Sequence, residues 1–573
     1  MELKKISDIL SIIRSNPKEI LFGFKKKGKW LGVSSETFLE KTEHTAQALI
    51  NCIGSNNTVL LISENRVEWN ILDFAVQLSN NISVPVFPSA CINDLKYILE
   101  HSESKLVFFS STQVYQKLKA LKCTLPLINI NADISYEDAT QFDDFILEFY
   151  QGERKLPEIN DISENEIFTI LYTSGTTGIP KGVQLSHNNV VSNVIACSNL
   201  APFTPKWKSL SFLPLNHILE RMVNYLFLSQ NVTIYYAESL ETIADNLKEI
   251  KPQIFVTVPR LLENVYHKLN QKSNELQGIK KWIYKRAFSA ASKSGSIGVL
   301  EKPLHYLYNN LVYSKWKEAL GGNIECIVSG GAPLNPKIAN TFSNAGFRIL
   351  EGYGLTETSP VVSVSPFTKS QIINGTVGKI IPGTTVKIAP DGEILVKGPG
   401  VMVGYFKDEN ATKETFDDEG WFKTGDIGQF DAQGYLKITD RKKEIFKLSS
   451  GKYISPAFIE SKIKECPFVE TCMVIGAGRK FPSALITVKK SIVTELLAKQ
   501  DFIKSEKAIS VIQLHIREIN KQLGVFEQIR RPEVLFEEWS IEGGEITPKQ
   551  SLKRSDISNR YEKLIQKIYS EEK

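Results

Sequence analysis

The stretch Tyr172-Thr173-Ser174-Gly175-Thr176-Thr177-Gly178-Ile179-Pro180-Lys181-Gly182 constrains this chain more than any other. An apolar run, Ile167-Phe168-Thr169-Ile170-Leu171, leads into it and reads as a buried strand. Small hydroxyl residues interleaved with glycines follow, and then a lysine. Glycine lets backbone N–H groups approach an anion closely, and Ser or Thr hydroxyls add donors beside them. The stretch therefore predicts a loop that cradles phosphates. It is not a Walker A loop, because no Gly-Lys-Ser/Thr stands at the required spacing. For an isolated Gly/Ser/Thr segment a flexible surface loop is the competing reading, so the rest of the chain has to decide.

With 573 residues the chain is too long for one ordinary core, and two or more domains are expected. From Thr37, helical and strand periodicities alternate. Thr37 to Cys52 reads as helix and Thr58 to Ile62 as strand; Arg66 to Ser79 is helical again, before the extended Ser83 to Pro88. A helix from Ile92 to Ser102 then leads into a strand, Lys105 to Phe109. This alternation predicts an α/β fold with mainly parallel sheets flanked by helices. Lys272 to Leu311 has little strand character and predicts a helical insertion. Between Gly375 and Tyr405, short strands separated by turns such as Pro382-Gly383 and Pro390-Asp391-Gly392 predict a β-rich subdomain. A short α+β pattern and a polar tail close the chain.

Several function classes are disfavoured by composition. No run of about 18 apolar residues argues for a membrane span, and the N-terminus is too polar for a secretory signal. Seven cysteines without paired spacing suggest neither a disulfide framework nor a zinc site, and a cytoplasmic setting fits. A net charge of +5 spread over the whole chain gives no sign of a nucleic-acid partner. Membrane contact, if made, would be peripheral, through the basic and aromatic stretch Lys280 to Phe288. A solvated helix face with its aromatics packed inward competes with that reading.

Further motifs stand at strand-to-loop exits. Cys326 to Leu334 is a strand meeting a glycine turn, the place where α/β sheets bind nucleotides. Arg348 to Thr358 is another such exit, and Gly425-Asp426 offers a carboxylate suited to ribose hydroxyls. In Leu213-Pro214-Leu215-Asn216-His217-Ile218-Leu219-Glu220-Arg221, a lone histidine is more often a packing residue than a catalytic one. Glu220 and Arg221 are expected to form a structural ion pair.

Taken together, these motifs resemble the AMP-forming adenylating enzymes, the superfamily of acyl-CoA synthetases, luciferases and peptide-synthetase adenylation domains. Ser63 to Trp69, Pro85 to Pro88, Val258-Pro259-Arg260 and Ile445 to Pro456 resemble its long-chain fatty acyl-CoA synthetase branch. The resemblance implies a large N-terminal AMP-binding domain, 1–439, and a small mobile C-terminal domain, 440–573, on a hinge at Asp440. The activity it implies is long-chain fatty acid–CoA ligation: fatty acid and ATP give an acyl-adenylate and pyrophosphate, and CoA then displaces AMP. A fatty acyl-AMP ligase feeding a carrier protein and a non-catalytic nucleotide or lipid binder are the rival readings.

The resemblance also implies roles. Thr173, Ser174, Gly175, Thr176, Thr177 and Lys181 would bind phosphates. Gly331, Ala332 and Pro333 would flank adenine opposite Tyr353, within Glu351-Gly352-Tyr353-Gly354. Thr356 would hold the α-phosphate and Glu357 a Mg²⁺ ion; Asp426 and Arg441 would reach the ribose or phosphate. His217 would line the acyl-carboxylate site, and Lys447, Ser449, Ser450, Gly451 and Lys452 would form the face used for thioester formation. The adenylation lysine is the point of departure. Aligned on the long-chain pattern Thr-Pro-Thr-Leu-Lys-Leu-Lys-Arg, its position holds Ser551; aligned on the general Ser-Gly-Lys pattern, Lys553 takes the place, with Lys549 as the alternative.

Overall fold

The computed structural model describes residues 3–150, 162–173, 179–293, 302–489, 502–540, 543–547 and 551–570. The chain divides into two compact units. One holds Met1–Lys387, Leu395–Lys423 and Asp431–Leu436; the other holds Ile388–Ile394, Thr424–Phe430 and Lys437–Lys573.

Two large sheets make up the first unit. In the eight-stranded one the spatial order is Gly404–Tyr405, Lys181–Ser186, Ile167–Thr173, Ile82–Pro85, Thr58–Ile62, Leu106–Phe109, Leu127–Asn129 and Thr140–Gln141. Its pairs are parallel from Ile167–Thr173 to the far edge and antiparallel at the near end. The nine-stranded sheet runs Lys379–Ile380, Val361–Val364, Ile349–Gly354, Cys326–Ser329, Ile254–Thr257, Lys208–Ser211, Thr233–Tyr236, Phe22–Lys26 and Lys29–Val33. Its six central strands are parallel, with antiparallel strands at both edges.

Local sequence explains the flanking helices. Helix Ser35–Ile53 starts where the Ser34 side chain accepts from the Thr37 N–H, and it ends at Gly54, whose φ of 74° suits glycine. In helix Val67–Leu78 every residue but Glu68 is buried, as expected of a helix that is apolar nearly all round and packed on more than one side. The helical insertion is longer than the sequence indicates: Pro259–Glu275, Gly278–Ala291 and Lys302–Tyr308, followed by a π-helical turn Asn309–Tyr313. Of the short strands in the stretch predicted as a β-rich subdomain, Thr385–Ile388 and Glu393–Lys397 lie in a separate four-stranded sheet, whereas Lys379–Ile380 and Gly404–Tyr405 add to the two large sheets.

In the second unit the antiparallel strands Val469–Ile475 and Ser483–Val488 are joined by a parallel strand, Glu533–Leu535. Helices Pro456–Ile463, Phe502–Asn520, Arg554–Arg560 and Glu562–Ser570 accompany them. Ile459, Ile486 and Ile512 sit in one apolar core; Trp539, Ile557 and Tyr569 sit in another. All seven cysteines are free thiols. Among the described residues no helix is long and apolar enough to cross a membrane.

At the centre of the first unit lies a buried charge. Arg221 and Asp73 are both fully enclosed and form an ion pair through Arg221 Nη2 and Asp73 Oδ1. Arg221 also donates to Thr169 Oγ1 at 2.7 Å, Ser83 Oγ at 2.7 Å and the Tyr225 hydroxyl at 2.8 Å. The expected Glu220–Arg221 pair is therefore not formed; adjacent helical residues point in different directions. Removing one partner of a buried pair leaves an uncompensated charge. Asp73→Ala is expected to cost about 3–5 kcal/mol of stability, read from urea unfolding. Asp73→Leu combined with Arg221→Met should lose less than Asp73→Ala alone; a cost below 1 kcal/mol for Asp73→Ala would contradict this account.

Candidate active site

The phosphate-loop stretch closes a hairpin. Strand Ile167–Thr173 pairs antiparallel with Lys181–Ser186, placing Thr173 opposite Lys181. Ser174, Gly175, Thr176 and Thr177 lie outside the described residues, as does Lys549. A third strand, Gly404–Tyr405, pairs with the returning arm, Tyr405 opposite Val183. Lys181 Nζ stands 4.9 Å from the centre of the Tyr405 ring, and the Tyr405 hydroxyl donates to Glu357 Oε1 at 3.1 Å. Burial and the nearby Glu357 carboxylate push the Tyr405 hydroxyl well above its ordinary range, so it stays a donor. Thr356 is buried in the short 3₁₀ turn Thr356–Thr358, and the Met402 N–H donates to the Glu357 carbonyl at 2.8 Å. The hairpin foot, the Tyr405 strand and the Glu357 turn thus meet at one place. Tyr405 was not singled out from sequence; its signal, a single aromatic in a two-residue strand, is too short to read.

In the second sheet the parallel neighbours Cys326–Ser329 and Ile349–Gly354 both end at glycines. Gly331 has φ 79°, and a Cβ on Gly354 would lie 1.7 Å from the Pro360 carbonyl oxygen, so neither position accepts a side chain. Beneath these turns opens a cavity with about 840 Å³ of empty space, solvent at its mouth included. Gly330, Gly331, Gly352, Tyr353 and Gly354 line it together with His217; the remaining wall is apolar, including Leu219, Met222, Phe227, Ile254 and Val256. The structure therefore brings His217 together with the glycine turns. Ala332 and Pro333 are exposed just past the first turn.

His217 is the N-cap of helix Ile218–Ser229, its Nδ1 accepting from the Leu219 N–H at 3.1 Å. The loop before it is held by the motif that begins at Ser63. Asn65 donates to the Leu213 carbonyl at 2.6 Å and accepts from the Leu215 N–H at 2.9 Å; Trp69 donates to Asn216 at 3.0 Å. That motif is a clamp on the histidine loop.

Two buried carboxyl groups adjoin these elements. Leu350 and Gly352 line the cavity, whereas the intervening Glu351 accepts from the Gly375 N–H at 3.1 Å and holds that loop. Burial pushes its carboxyl up to about 7. Glu220, one turn into the histidine helix, accepts from Ser211 Oγ at 2.6 Å and is pushed up to about 8 by burial.

The second unit holds the other candidates. Asp426 is buried and pairs with Arg441, Nε to Oδ1 3.2 Å, so these two residues come together. Asp440 is buried beside them in sequence and accepts from the Arg441 N–H at 2.6 Å, while Lys442 pairs with Asp391 and Glu393 at 2.6 Å each. Lys447 lies opposite Tyr453 in a small hairpin that turns through Gly451, φ 84°; Ser449, Ser450, Gly451 and Lys452 are exposed. Lys553 caps helix Arg554–Arg560, with Nζ 3.9 Å from Asp556.

A glycine-edged nucleotide-type sheet end over an apolar cavity, with a separate C-terminal unit, is the architecture of an adenylating enzyme. The chain belongs to the AMP-binding enzyme family: the model of that family matches residues 17–406, and that of the AMP-binding enzyme C-terminal domain matches residues 443–573. It is 31% identical to the long-chain-fatty-acid–CoA ligase FadD15 of Mycobacterium bovis, over 98% of this chain and 96% of that protein. It is also 31% identical to the peroxisomal long chain acyl-CoA synthetase 6 of Arabidopsis thaliana, over 88% of this chain and 77% of that one. The fold resembles the adenylation domain of a Mycobacterium chelonae carboxylate reductase, with TM-score 0.80 at 19% identity, covering 99% of this chain and 90% of that one. It also resembles ATP-bound MatB of Rhodopseudomonas palustris, with TM-score 0.73 at 20% identity, covering 98% and 100%.

Glu220 makes stability depend on pH. The unfolded chain ionises it near its ordinary 4.5, whereas the folded chain keeps the proton to about 8. Between those values the folded state binds more protons, so stability falls as pH rises through the window. Glu220→Gln removes this contribution. Its thermal midpoint, relative to wild type, should therefore rise from pH 5 to about pH 8 and level off above that; a pH-independent difference would show that Glu220 ionises normally.

Proposed function

We propose that this enzyme is an AMP-forming long-chain fatty acid–CoA ligase. The observation that carries the reading is the cavity, whose wall is apolar except where His217 and the two glycine turns enter it. An acyl chain suits the apolar wall and its carboxylate suits the polar end. The long-chain ligases to which the chain is similar over nearly its whole length support the same substrate class.

A carboxylate is a poor acyl donor because its oxygen leaves badly. Attack of a carboxylate oxygen on the α-phosphorus of ATP forms the acyl-adenylate and expels pyrophosphate; a thiolate sulfur then attacks the acyl carbon and expels AMP. Catalysis of phosphoryl transfer rests mainly on positioning and charge stabilisation. His217, with Nδ1 already accepting, carries the proton of a neutral ring on Nε2, a donor suited to the substrate carboxylate. Gly331, Ala332 and Pro333 flank the adenine opposite Tyr353, within Glu351-Gly352-Tyr353-Gly354. Thr173, Ser174, Gly175, Thr176, Thr177 and Lys181 bind phosphates, Thr356 the α-phosphate, and Asp426 with Arg441 the ribose. Among the described residues no three potential ligand side chains gather, and Glu357 is a single carboxylate braced by Tyr405. That donor set fits Mg²⁺, which takes one or two carboxylates and fills its remaining positions with phosphate oxygens and water. When bound, the ion supplies charge neutralisation at the phosphates.

Pyrophosphate release from palmitate, ATP and Mg²⁺ is expected without CoA, and acyl-CoA with it. Adenylate that passes only to a carrier protein would indicate an acyl-AMP ligase, and no release a binding protein. Glu357→Ala should abolish Mg²⁺-dependent release while leaving thermal unfolding unchanged; wild-type rates would remove Glu357 from the site.

The second domain, residues 440–573, is read as pivoting at Asp440, presenting Lys553 for adenylation and the Lys447 to Lys452 face for thioester formation. Asp440→Pro fixes φ and should slow thioester formation far more than pyrophosphate release. Lys553→Ala should do the reverse, lowering adenylation on the order of 10²–10³-fold while sparing thioesterification of supplied acyl-AMP. Single-turnover assays of each step decide it: equal losses in both steps exclude the two-faced pivot, and an unaffected Lys553→Ala moves the role to Lys549.

A further inference from the structure

The cavity beside His217 has a direction, and the connectivity of the chain sets it. Helix Ile218–Ser229 joins the parallel neighbours Lys208–Ser211 and Thr233–Tyr236, so it runs back along the sheet, opposite to both. Strands Ile254–Thr257, Cys326–Ser329 and Ile349–Gly354 share the direction of those two strands. His217 and the glycine turns therefore stand at one end, and the apolar wall descends from them along helix and sheet together. On the helix, Leu219, Met222 and Phe227 line it in turn. On the sheet, Gly330 is followed by Val328 and then by Ile254, which lies at the level of Cys326.

Helix and sheet give the same depth. Phe227 is ten residues past His217, about 15 Å along a helix. Ile254 lies four strand positions below Gly330, about 13 Å. An extended saturated chain advances about 1.3 Å per carbon, so about a dozen carbons span that depth. At the lower end two aromatic rings line the cavity, Phe227 from the helix and Phe203 from the segment before strand Lys208–Ser211. Their centroids are 6.1 Å apart with the planes inclined at 60°, and Trp207 packs behind Phe203 at 5.6 Å. Phe227 is buried, whereas Phe203 is half-buried and its neighbours Pro202 and Thr204 are exposed. This end of the cavity therefore lies close to the surface, with the Phe203 ring across it.

We propose that the Phe203–Phe227 pair is the floor of the cavity and sets the longest acyl chain it takes straight, a role that rests on the cavity being the fatty-acid site. With the carboxylate at His217, each methylene down to the floor is buried against Met222, Val328 and Ile254. The terminal carbons of palmitate meet the two rings. Longer chains must bend or displace the Phe203 ring, so further methylenes add no affinity. Interiors are close-packed, and a ring at the end of an apolar channel stops a chain as firmly as its neighbours hold it. Trp207 holds Phe203 on the solvent side, and the helix holds Phe227 on the other.

The test is displacement of the fluorescent fatty acid cis-parinarate from the full chain by laurate, palmitate and behenate, with pyrophosphate release measured alongside for the same acids. In wild type, behenate should bind no tighter than palmitate. Phe203→Ala should raise the behenate-to-palmitate affinity ratio at least about tenfold, since each newly buried methylene adds about fourfold. Phe203→Trp should lower the palmitate-to-laurate ratio about tenfold. Phe227→Leu, which keeps an apolar group in the core, should move the ratio in the same direction as Phe203→Ala and serves where that variant does not fold. Unchanged ratios, or a loss equal at every chain length, would overturn the proposal, the second showing a purely structural role. So would a wild type that gains affinity steadily to behenate or does not bind parinarate. Shifted ratios without pyrophosphate release would keep the floor and remove the ligase reading; release with unshifted ratios would do the opposite.

Discussion

The fully enclosed Arg221 guanidinium ties together the parts of the first unit that the site depends on. Its bonds reach Asp73 on helix Val67–Leu78, Ser83 on strand Ile82–Pro85 and Thr169 on strand Ile167–Thr173. Arg221 itself lies one turn after His217, and Thr169 lies four residues before Thr173. A single planar donor therefore sets the histidine helix against the strand that leads into the phosphate-loop stretch. Apolar packing alone would allow these elements to slide. A buried guanidinium permits little sliding, because each displaced N–H would lose its partner where no water can replace it.

Around that anchor the two ends of the cavity differ in chemistry because the sheet and the helix contribute different backbone. Parallel strands leave their last carbonyl and N–H groups free to turn, and glycines at 330, 331, 352 and 354 let those turns crowd together. The helix that follows His217 supplies Leu219, Met222 and Phe227 in spacings that return to one face. A polar-ended apolar chamber follows from the meeting of a strand-to-loop edge with an amphipathic helix face. The Asn65 and Trp69 clamp fixes the loop that joins them.

Much of this was legible from sequence because it is local. Strand Thr58–Ile62 and helix Ile92–His101 lie close to where their periodicity places them, and the glycine turns announce themselves by composition. What was not legible depends on pairing between distant segments. Arg221 looks like the partner of Glu220 in a linear reading, yet the helix turns them apart, and Asp73 is 148 residues away. Glu351 reads as one of a row of nucleotide-binding residues, but strand alternation sends its carboxyl to the Gly375 N–H while Leu350 and Gly352 face the cavity. Tyr405 meets Glu357 and Lys181 only because a two-residue strand adds to the hairpin edge.

Ser551 is the sharpest departure from the long-chain pattern, and the local geometry bears on what could replace a lysine there. Ile546 and Leu552 form an isolated antiparallel bridge, with Thr547 N–H donating to the Ser551 carbonyl at 2.8 Å and Lys553 N–H to the Glu545 carbonyl at 2.8 Å. Leu552 packs with Ile546 toward the core of the second unit. Residues 551 and 553 flank it, and on an extended segment both project to the other side. They are separated by about 6.5 Å along the chain, a distance comparable to the reach of an extended lysine side chain. An amine at position 553 can therefore cover much of the space open to one at 551. It does so from the first turn of helix Arg554–Arg560, which Arg554 fastens through Glu444 and Glu460. With its base so fastened and its amine 3.9 Å from Asp556 in a partly exposed pairing, Lys553 has a fixed origin and a lightly held charge. A group that must meet a developing negative charge needs both properties, and this geometry supplies both to Lys553.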